Sequence, residues 1–394
     1  MKKLHLIKEA FIATLIVLII TYLISFIPLS LEYGKALHQG FADFDIYDLY
    51  YSGKARQNII RDTGIVLVEL GSDRSEIADQ INSLSLYHPK IIAIDATFET
   101  AKDSVADMKF SEAIKHKPNL VFAYGFDKTG VSPNFFYREP DSGASGYIDF
   151  SSRPQYSVIR TYVPFYKKDG KEYEAFTTSI ARLVNPACYQ KLKKRNNSEE
   201  LINYTGNVNN YFTISKNELH NLDSLQLEKL IQHKLVLLGF FMKDYPLVMD
   251  DLYYSPLNER VSGKSFPDIY GVVVHANILS MILNGKYATL ASTTTAYIFA
   301  FLITLMLYYY FISQFHKKSH PSHGKFLLIQ FLAILLALYL FLQFYNWFLF
   351  KVPLEPMLIA MVLSLEMLGL YKNLALWLHK KYRYKTVFTH KHII

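Results

Sequence analysis

Four long apolar runs constrain this chain more than any other feature of its sequence. They cover residues 10–31, 292–313, 326–350 and 353–378, and each approaches or exceeds the roughly 20 residues that a helix needs to cross a bilayer core. The first run follows lysines, as in a signal peptide, but it is longer than a signal peptide's apolar region and no small-residue cleavage motif follows it. We therefore predict four transmembrane helices.

Lysine and arginine cluster in the short segments on one side of these runs. They occupy residues 1–9, the loop 314–325 and the tail 379–394. Because short basic segments stay in the cytoplasm, we expect both termini there and the segment 32–291 outside. In a double-membraned bacterium, this predicts a multi-pass protein of the inner membrane with a periplasmic domain.

The net charge of +8 is accounted for by these flanks, and the outer segment carries no basic stripe interleaved with aromatic residues. We therefore expect no nucleic-acid partner. The chain has one cysteine, Cys188, which excludes an intramolecular disulfide. It also lacks the phosphate-binding, serine-hydrolase and zinc-protease motifs. We predict a protein that is not an enzyme and that uses no cofactor and no metal.

Between the first and second apolar runs, the sequence has the pattern of a soluble α/β domain. Short β-branched runs alternate with amphipathic stretches, which predicts a parallel sheet with right-handed crossovers. An Asp-Gly pair at 169–170 predicts a hairpin inserted into this pattern. The strands are predicted at 64–70, 90–95, 120–124, 201–204 and 235–239, and the helices at 74–87, 110–116, 177–184 and 272–283. The predicted fold class is an α/β extracytoplasmic domain with a parallel-rich sheet flanked by helices, joined to four transmembrane α-helices.

Acidic residues follow two of the predicted strands. Asp95 ends one strand, and Asp250 and Asp251 follow another after a short loop. Because ligands of open parallel sheets bind at the carboxyl ends of strands, these acids predict a site for a cation or an amine-bearing ligand. The alternative is that they cap helices or turns and fix the corner at Ser255.

Two polar residues and one acid lie inside predicted helices. His275 stands among apolar residues, which favours packing against the sheet over metal ligation, and Asn277 is expected at the same corner. Glu366 lies near the middle of the fourth apolar run, where an ionisable group is costly. Because a single acid with no matching Lys, Arg or His near the middle of the spans makes a poor proton path, we predict that Glu366 marks a membrane interface with another subunit.

A set of segments in chain order covers nearly all of residues 43–285. They are Asp45-Ile-Tyr-Asp-Leu-Tyr50, the strand Ile65–Leu70, Pro89-Lys-Ile-Ile-Ala-Ile-Asp-Ala-Thr-Phe98, Arg160-Thr-Tyr-Val-Pro164, Ile202-Asn-Tyr204, the strand Lys234–Gly239, Asp251-Leu-Tyr-Tyr-Ser-Pro256 and Tyr270-Gly-Val-Val-Val-His-Ala-Asn277. Together they resemble the type-two member of the CHASE family, extracellular sensory domains associated with bacterial cyclases and histidine kinases. The resemblance implies a sensory domain between one N-terminal and three C-terminal spans. Arg160, His275 and Asn277 lie in these segments and join the acids as candidate ligand contacts.

Two functions follow from these expectations. Residues 379–394 are too few for a kinase or cyclase domain, so we expect the chain to sense outside and to pass the signal through its helices to a partner. The expected partners are the lipid bilayer, another membrane or envelope protein, a second copy of the chain and a small-molecule ligand. The alternative function is a structural or scaffolding subunit of an envelope complex.

Overall fold

The computed structural model describes residues 2–25, 45–55, 59–115, 117–127, 130–131, 145–148, 158–242, 251–258, 267–317 and 322–389. The chain divides into a helical unit, Met1–Phe41 with Thr289–Ile394, and an outer unit, Ala42–Ala288. In the described residues, the α-helices are α1 (Lys2–Ser25), α2 (Asp48–Ala55), α3 (Arg74–Ser85), α4 (Ser104–Ile114), α5 (Phe176–Val184), α6 (Pro186–Arg195), α7 (Lys216–Asn221), α8 (Ser224–Ile231), α9 (Gly271–Asn284), α10 (Thr293–Lys317), α11 (His323–Phe348) and α12 (Glu355–Tyr382).

The strands are short and lie mostly in the outer unit. In the described residues they are β1 (Asp62–Glu69), β2 (Ile91–Ile94), β3 (Leu120–Tyr124), β4 (Phe126–Asp127), β5 (Gly130–Val131), β6 (Ser145–Tyr147), β7 (Thr161–Tyr162), β8 (Phe165–Lys168), β9 (Lys171–Glu174), β10 (Glu200–Leu201), β11 (Tyr211–Ile214), β12 (Leu235–Gly239), β13 (Leu252–Tyr253), β14 (Ile269–Tyr270), β15 (Thr289–Leu290) and β16 (Phe350–Lys351).

A parallel sheet of six strands forms the centre of the outer unit. Its order is β11-β1-β12-β2-β3-β6, and every neighbouring pair is parallel. The central strands β2 and β12 are buried along their whole length, as expected when helices cover both faces. Leu238 of β12 pairs with Ile94 of β2, so these strands end side by side. The predicted parallel-rich sheet is confirmed.

Helices cover the two faces of this sheet differently. On one face, Ile77 and Ile81 of α3 and Phe110 of α4 pack in a cluster with Val66 and Ile92 of the strands. Each such side chain contributes about 1.5–3 kcal/mol when fully buried. On the other face lie α5 and α9. The residues of α9 are buried on all sides, which is typical of a helix at the centre of a core.

Two glycines fix how α9 packs and ends. A Cβ atom at Gly239, the last residue of β12, would lie 2.5 Å from Cβ of Val272. Only glycine therefore lets the first turn of α9 pack this closely on the strand end. At the other end, Gly285 has φ of 64° and caps α9 in the left-handed conformation.

The predicted hairpin is present as β8 and β9. Its two-residue turn consists of Asp169 and Gly170, with φ angles of 51° and 75°. Two central residues with positive φ match the twist of a hairpin, which explains the Asp-Gly sequence. By contrast, the strand predicted at 201–204 is shorter, since only Glu200–Leu201 pairs, with β7.

The helical unit contains four described helices long and apolar enough to cross a membrane: α1, α10, α11 and α12. The first begins at Lys2, earlier than the predicted span 10–31, and residues 26–31 lie outside the described part of the chain. The prediction began after Glu9 because a charge in a span is costly. In the structure Glu9 is buried and accepts a hydrogen bond of 2.5 Å from the Tyr371 hydroxyl of α12, which offsets part of that cost.

Small side chains let these helices approach one another. Ala10 and Ala13 of α1, Ala300 of α10 and Ala360 of α12 are all buried, as is usual at helix contacts in membranes. The chain after α12 also contacts this bundle, since Phe388 packs on its core cluster. At the opposite end, β15 and β16 form a short parallel pair.

Candidate functional site

Asp95 lies directly after β2, at the carboxyl edge of the sheet. Its backbone N–H donates to the carbonyl of Leu238 on β12 at 2.7 Å, which holds it between the two strand ends. Only 9% of its side chain is exposed. Burial, and after it the negative charge of Asp251, raise the pKa of Asp95 to about 8. The carboxyl is therefore mostly protonated at neutral pH.

Asp251 lies just before β13 and against the start of α9. Its carboxylate oxygens approach Gly271 so closely that a Cβ atom there would lie 3.3 Å from each. Burial raises the pKa of Asp251 to about 6, while hydrogen bonds from the Tyr253 hydroxyl and the Gly271 N–H oppose the rise. Free N–H groups at a helix N-terminus favour an anion. Asp251 is therefore mostly ionised at neutral pH.

His275 brings α9 against Asp95. One turn after Gly271, its ring is buried, with Nε2 at 3.7 Å from Oδ1 of Asp95. The ring packs edge-to-face with that of Phe176, with 5.3 Å between the ring centroids. Burial lowers the pKa of His275 to about 3. The distance exceeds that of a hydrogen bond, and the pKa values make both groups neutral near pH 7. The contact is thus not an ion pair.

The two acids therefore share one edge of the sheet without a compensating positive charge. Among the described residues, neutral His275 is the one basic side chain within ion-pair distance of Asp95, and none lies within that distance of Asp251. The charge of Asp251 opposes ionisation of Asp95, since a nearby like charge raises the pKa of an acid. The arrangement favours whatever brings positive charge to this edge, a proton or a cation.

Asn277 lies two residues beyond His275, but its side chain is hydrogen-bonded to main-chain groups of the protein. Its Oδ1 accepts from the N–H groups of Thr205, at 2.6 Å, and Gly206, at 3.1 Å. Its Nδ2 donates to the carbonyls of Gly206, at 2.9 Å, and Val273, at 2.8 Å. The full hydrogen-bonding capacity of the amide is used. Asn277 therefore fastens the loop after β10 to α9.

Arg160 lies in a different ion pair from the two acids. Its Nε and Nη2 donate to the two carboxylate oxygens of Asp48 at 3.0 and 2.6 Å. Asp48 is the first residue of α2, so this bidentate pair ties α2 to the segment before β7. Such a fork fixes geometry as well as charge. The structure brings together Asp95, Asp251 and His275, and it gives Arg160 and Asn277 other partners.

Asp268 is an acid that sequence reasoning missed. It accepts from the N–H of Ser255 at 2.8 Å and from its hydroxyl at 2.6 Å, so it fixes the corner that had been assigned to the other aspartates. Burial raises its pKa to about 6, against the opposing bonds from Ser255. Ser255 and Asp268 are 13 positions apart in the sequence, and the antiparallel pairing of β13 with β14 brings them together.

Two further candidates lie elsewhere. Asp250 is outside the described residues. Glu366 lies on α12 and is exposed on the surface of the chain.

A parallel sheet with an acidic edge, in a chain with four helices apolar and long enough to cross a membrane, is typical of a membrane protein with a folded outer domain. The family model of the CHASE2 domain matches residues 16–310. The chain belongs to this family of extracellular sensory domains, as its sequence segments indicated. No curated protein and no solved structure matches the chain.

Proposed function

We propose that the outer unit senses a small cationic ligand at Asp95 and Asp251 and passes its binding state through the membrane helices to a partner protein. The observation that supports this most is the pair of acids, Asp95 and Asp251, beside the N-terminal turn of α9, which has no compensating positive charge among the described residues. A cation that displaces the proton of Asp95 would leave both carboxylates ionised and balanced. A cation that binds the native fold more tightly than the unfolded chain stabilises the native fold.

The connection of α9 to the membrane supports the second half of the proposal. The site lies at the first turns of α9, and the chain from its C-cap, Gly285, to the start of α10, Thr293, is short. A shift of α9 on ligand binding would thus act close to the start of a transmembrane helix. The same edge suits binding better than catalysis, because a histidine with a pKa of about 3 is a poor base at neutral pH.

The proposed location is the inner membrane of a double-membraned bacterium, with the outer unit in the periplasm and both termini in the cytoplasm. The support is the distribution of lysine and arginine over residues 1–9, 314–325 and 379–394. This orientation exposes the acidic edge to envelope solutes and leaves any partner's readout to the membrane or the cytoplasm.

The test is ligand-dependent thermal stability of the purified full chain in mild detergent. Calcium, magnesium and spermidine are each added at pH 8. A cation that binds raises the melting temperature, because at a hundred times its Kd it adds about 2.7 kcal/mol to the free energy of unfolding. Asp95→Asn and Asp251→Asn should abolish the rise. Asp79→Asn, an exposed acid paired with Lys109, is the matched control and should keep it.

The pH dependence of binding sharpens this test. Below its pKa of about 8, Asp95 must lose a proton before it can hold a cation, so affinity should fall about ten-fold per pH unit there. A cation-induced rise that is equal in the wild type and both site variants would exclude this edge as the sensor site. If none of the three cations raises the melting temperature at any pH, the scaffolding function becomes the better interpretation.

A further inference from the structure

The fourth span presents two different faces. One face of α12 is buried against the other helices and includes Ala360, Ser364, Leu368 and Tyr371. The opposite face is exposed, and it consists of Val362, Glu366, Gly369, Leu370, Asn373, Leu374 and Trp377. Glu366, Gly369 and Asn373 are spaced by three and four residues and therefore form one stripe along the helix.

The polar residues on this stripe are exposed, whereas several other polar residues of the membrane helices are buried. Thr14, Thr304, Gln330 and Ser364 are all buried, and Gln330 donates to the carbonyl of Val362 at 2.8 Å. The exposed face of the neighbouring helix α11 is lined by large apolar side chains, namely Leu328, Phe331, Leu332, Leu335, Leu336 and Leu340. That face suits lipid tails. The stripe of α12 does not, because a carboxyl near the middle of a span is costly unless it is paired.

Gly369 gives a second, independent indication of close approach by another helix. A Cβ atom at this position would meet nothing within 4 Å in the chain, so packing inside this chain does not require glycine there. In a helix interior, glycine is less favourable than alanine by about 1 kcal/mol. Small residues of this kind let the backbones of two membrane helices come close together.

The chemistry of the stripe favours a second copy of this chain as the partner. A neutral carboxyl and a carboxamide each carry both a donor and an acceptor. In a parallel two-fold contact, each residue of the patch meets the same patch on the other subunit. Such a contact centred on Gly369 places Glu366 and Asn373 one turn to either side of the crossing, where identical groups satisfy each other. A different partner would have to supply a matching polar group of its own.

We propose that α12 is a dimerisation helix, and that two copies cross at Gly369 with Glu366 and Asn373 hydrogen-bonded across the contact. This deepens the proposed function by naming the partner that receives the signal, and it rests on that function only for its role in signalling. The contact itself depends on no ligand. Its test is therefore done without a ligand, so that failure of the dimer and failure of the cation site are separate results.

Cysteine crosslinking in membranes tests the contact. In a Cys188→Ala background, Gly369→Cys should form a disulfide-linked dimer on mild oxidation. Leu336→Cys, on the exposed face of α11, is the control and should stay monomeric. In mild detergent, co-purification of two differently tagged copies should fall roughly ten-fold or more with Glu366→Leu, which removes both members of a symmetric hydrogen bond. Glu366→Gln, which keeps a donor and an acceptor, should retain most of it.

Gly369→Leu distinguishes an effect on the dimer contact from an effect on the fold of the monomer. The added side chain meets open space in the isolated chain, so melting of the monomer should be unchanged, whereas the dimer should be lost. Equal crosslinking at Leu336→Cys and Gly369→Cys would overturn the proposal. So would full co-purification with Gly369→Leu, or a stoichiometric complex of one copy with a different membrane protein held through Glu366.

Discussion

Two groups of acidic side chains in the outer unit differ in the presence of a guanidinium beside them. Asp48 is held at both oxygens by Arg160, so its charge is balanced within the fold. Asp95 and Asp251 lie together, and among the described residues a neutral histidine is the one basic side chain within ion-pair distance of Asp95. An acid that the fold itself neutralises fastens two elements together. An acid pair that it leaves unbalanced destabilises the native state until something from outside neutralises the pair.

The pKa values follow the same division. A hydrogen bond and the charge of Arg74 lower the pKa of Asp107, whereas burial and a second acid raise the pKa of Asp95. Residues of the first kind lose their stabilising effect in acid, and residues of the second kind weaken the fold as pH rises. Reduced stability at a binding site is a common trade for function. The predictions below test whether this division is real.

The largest effect is expected at a balanced pair. Arg160→Met removes the two hydrogen bonds that Asp48 accepts from Arg160, in a pair whose side chains are only 12% and 16% exposed. Removing one member of a buried ion pair is strongly destabilising, and we expect a loss of about 2–4 kcal/mol in the free energy of unfolding. Denaturant unfolding monitored in the outer unit measures it.

Arg182→Met is the matched control for this change. Its pair with Glu174 is more open, at 36% and 21% exposure, so its loss should be below about 1 kcal/mol. If Arg160→Met instead leaves stability unchanged and removes the cation-dependent rise in melting temperature, Arg160 contacts the ligand and the division fails.

A smaller effect of opposite sign is expected at Asp95. Its pKa is 3.8 in the unfolded chain and about 8 in the native one, so between these values the native state binds more protons and its stability falls as pH rises. Asp95→Asn removes this dependence. The variant should match the wild type near pH 4 and exceed it by about 1–3 kcal/mol at pH 8, less than the full shift implies because ionisation admits water to the site.

The measurement is the melting temperature of both proteins across that pH range without added cations. Asp79→Asn, which changes an exposed acid paired with Lys109, is the matched control over the same pH range. A loss of stability in Asp95→Asn at pH 8 would mean that the Asp95 carboxylate has a partner that supports the fold. Asp95 would then be an acid whose charge is balanced within the fold, like Asp48.

Much of this site followed from local sequence. The strand before Asp95 and the helix around His275 are continuous apolar segments, and the rule for parallel sheets places a strand-end acid at the ligand edge. What could not be predicted depends on pairing over long distances in the chain. The edge strand β11 reads Tyr-Phe-Thr-Ile after a polar stretch, and only its pairing with β1 reveals it. Likewise, nothing near Asn277 in sequence indicates Thr205 as its partner.

Of two acids in the helical unit, the sequence indicated Glu366 but not Glu9, because the contact of Glu9 is with a residue far away in the chain. Glu366 stands out because its apolar neighbours surround it in sequence. Glu9 lies beside Lys8 at the start of an apolar run and resembles a flanking charge. Its burial depends on Tyr371, which is 362 positions away.

The smallest effect on stability is expected in the helical unit, for a substitution at the partner of Glu9. Glu9 is fully buried and accepts a hydrogen bond from Tyr371, whereas Glu366 is exposed on α12. Tyr371→Phe removes the hydrogen bond to Glu9 and keeps the ring, which packs against Phe388. Hydrogen bonds between membrane helices contribute about 0.6 kcal/mol on average, so the melting temperature should fall only slightly. Tyr309→Phe, an exposed residue of α10, should have no effect.

Trypsin cleavage at Lys385 gives a second readout of this contact. It should be unchanged in Tyr371→Phe and faster in Tyr371→Ala, which also loses the ring contact that holds the tail. A large drop in melting temperature for Tyr371→Phe would contradict the prediction, because it would show that Glu9 is a charge stabilised mainly by this hydroxyl. The first span would then carry its own strongly coupled acid, and Glu366 would no longer be the membrane acid with the clearest need for a partner.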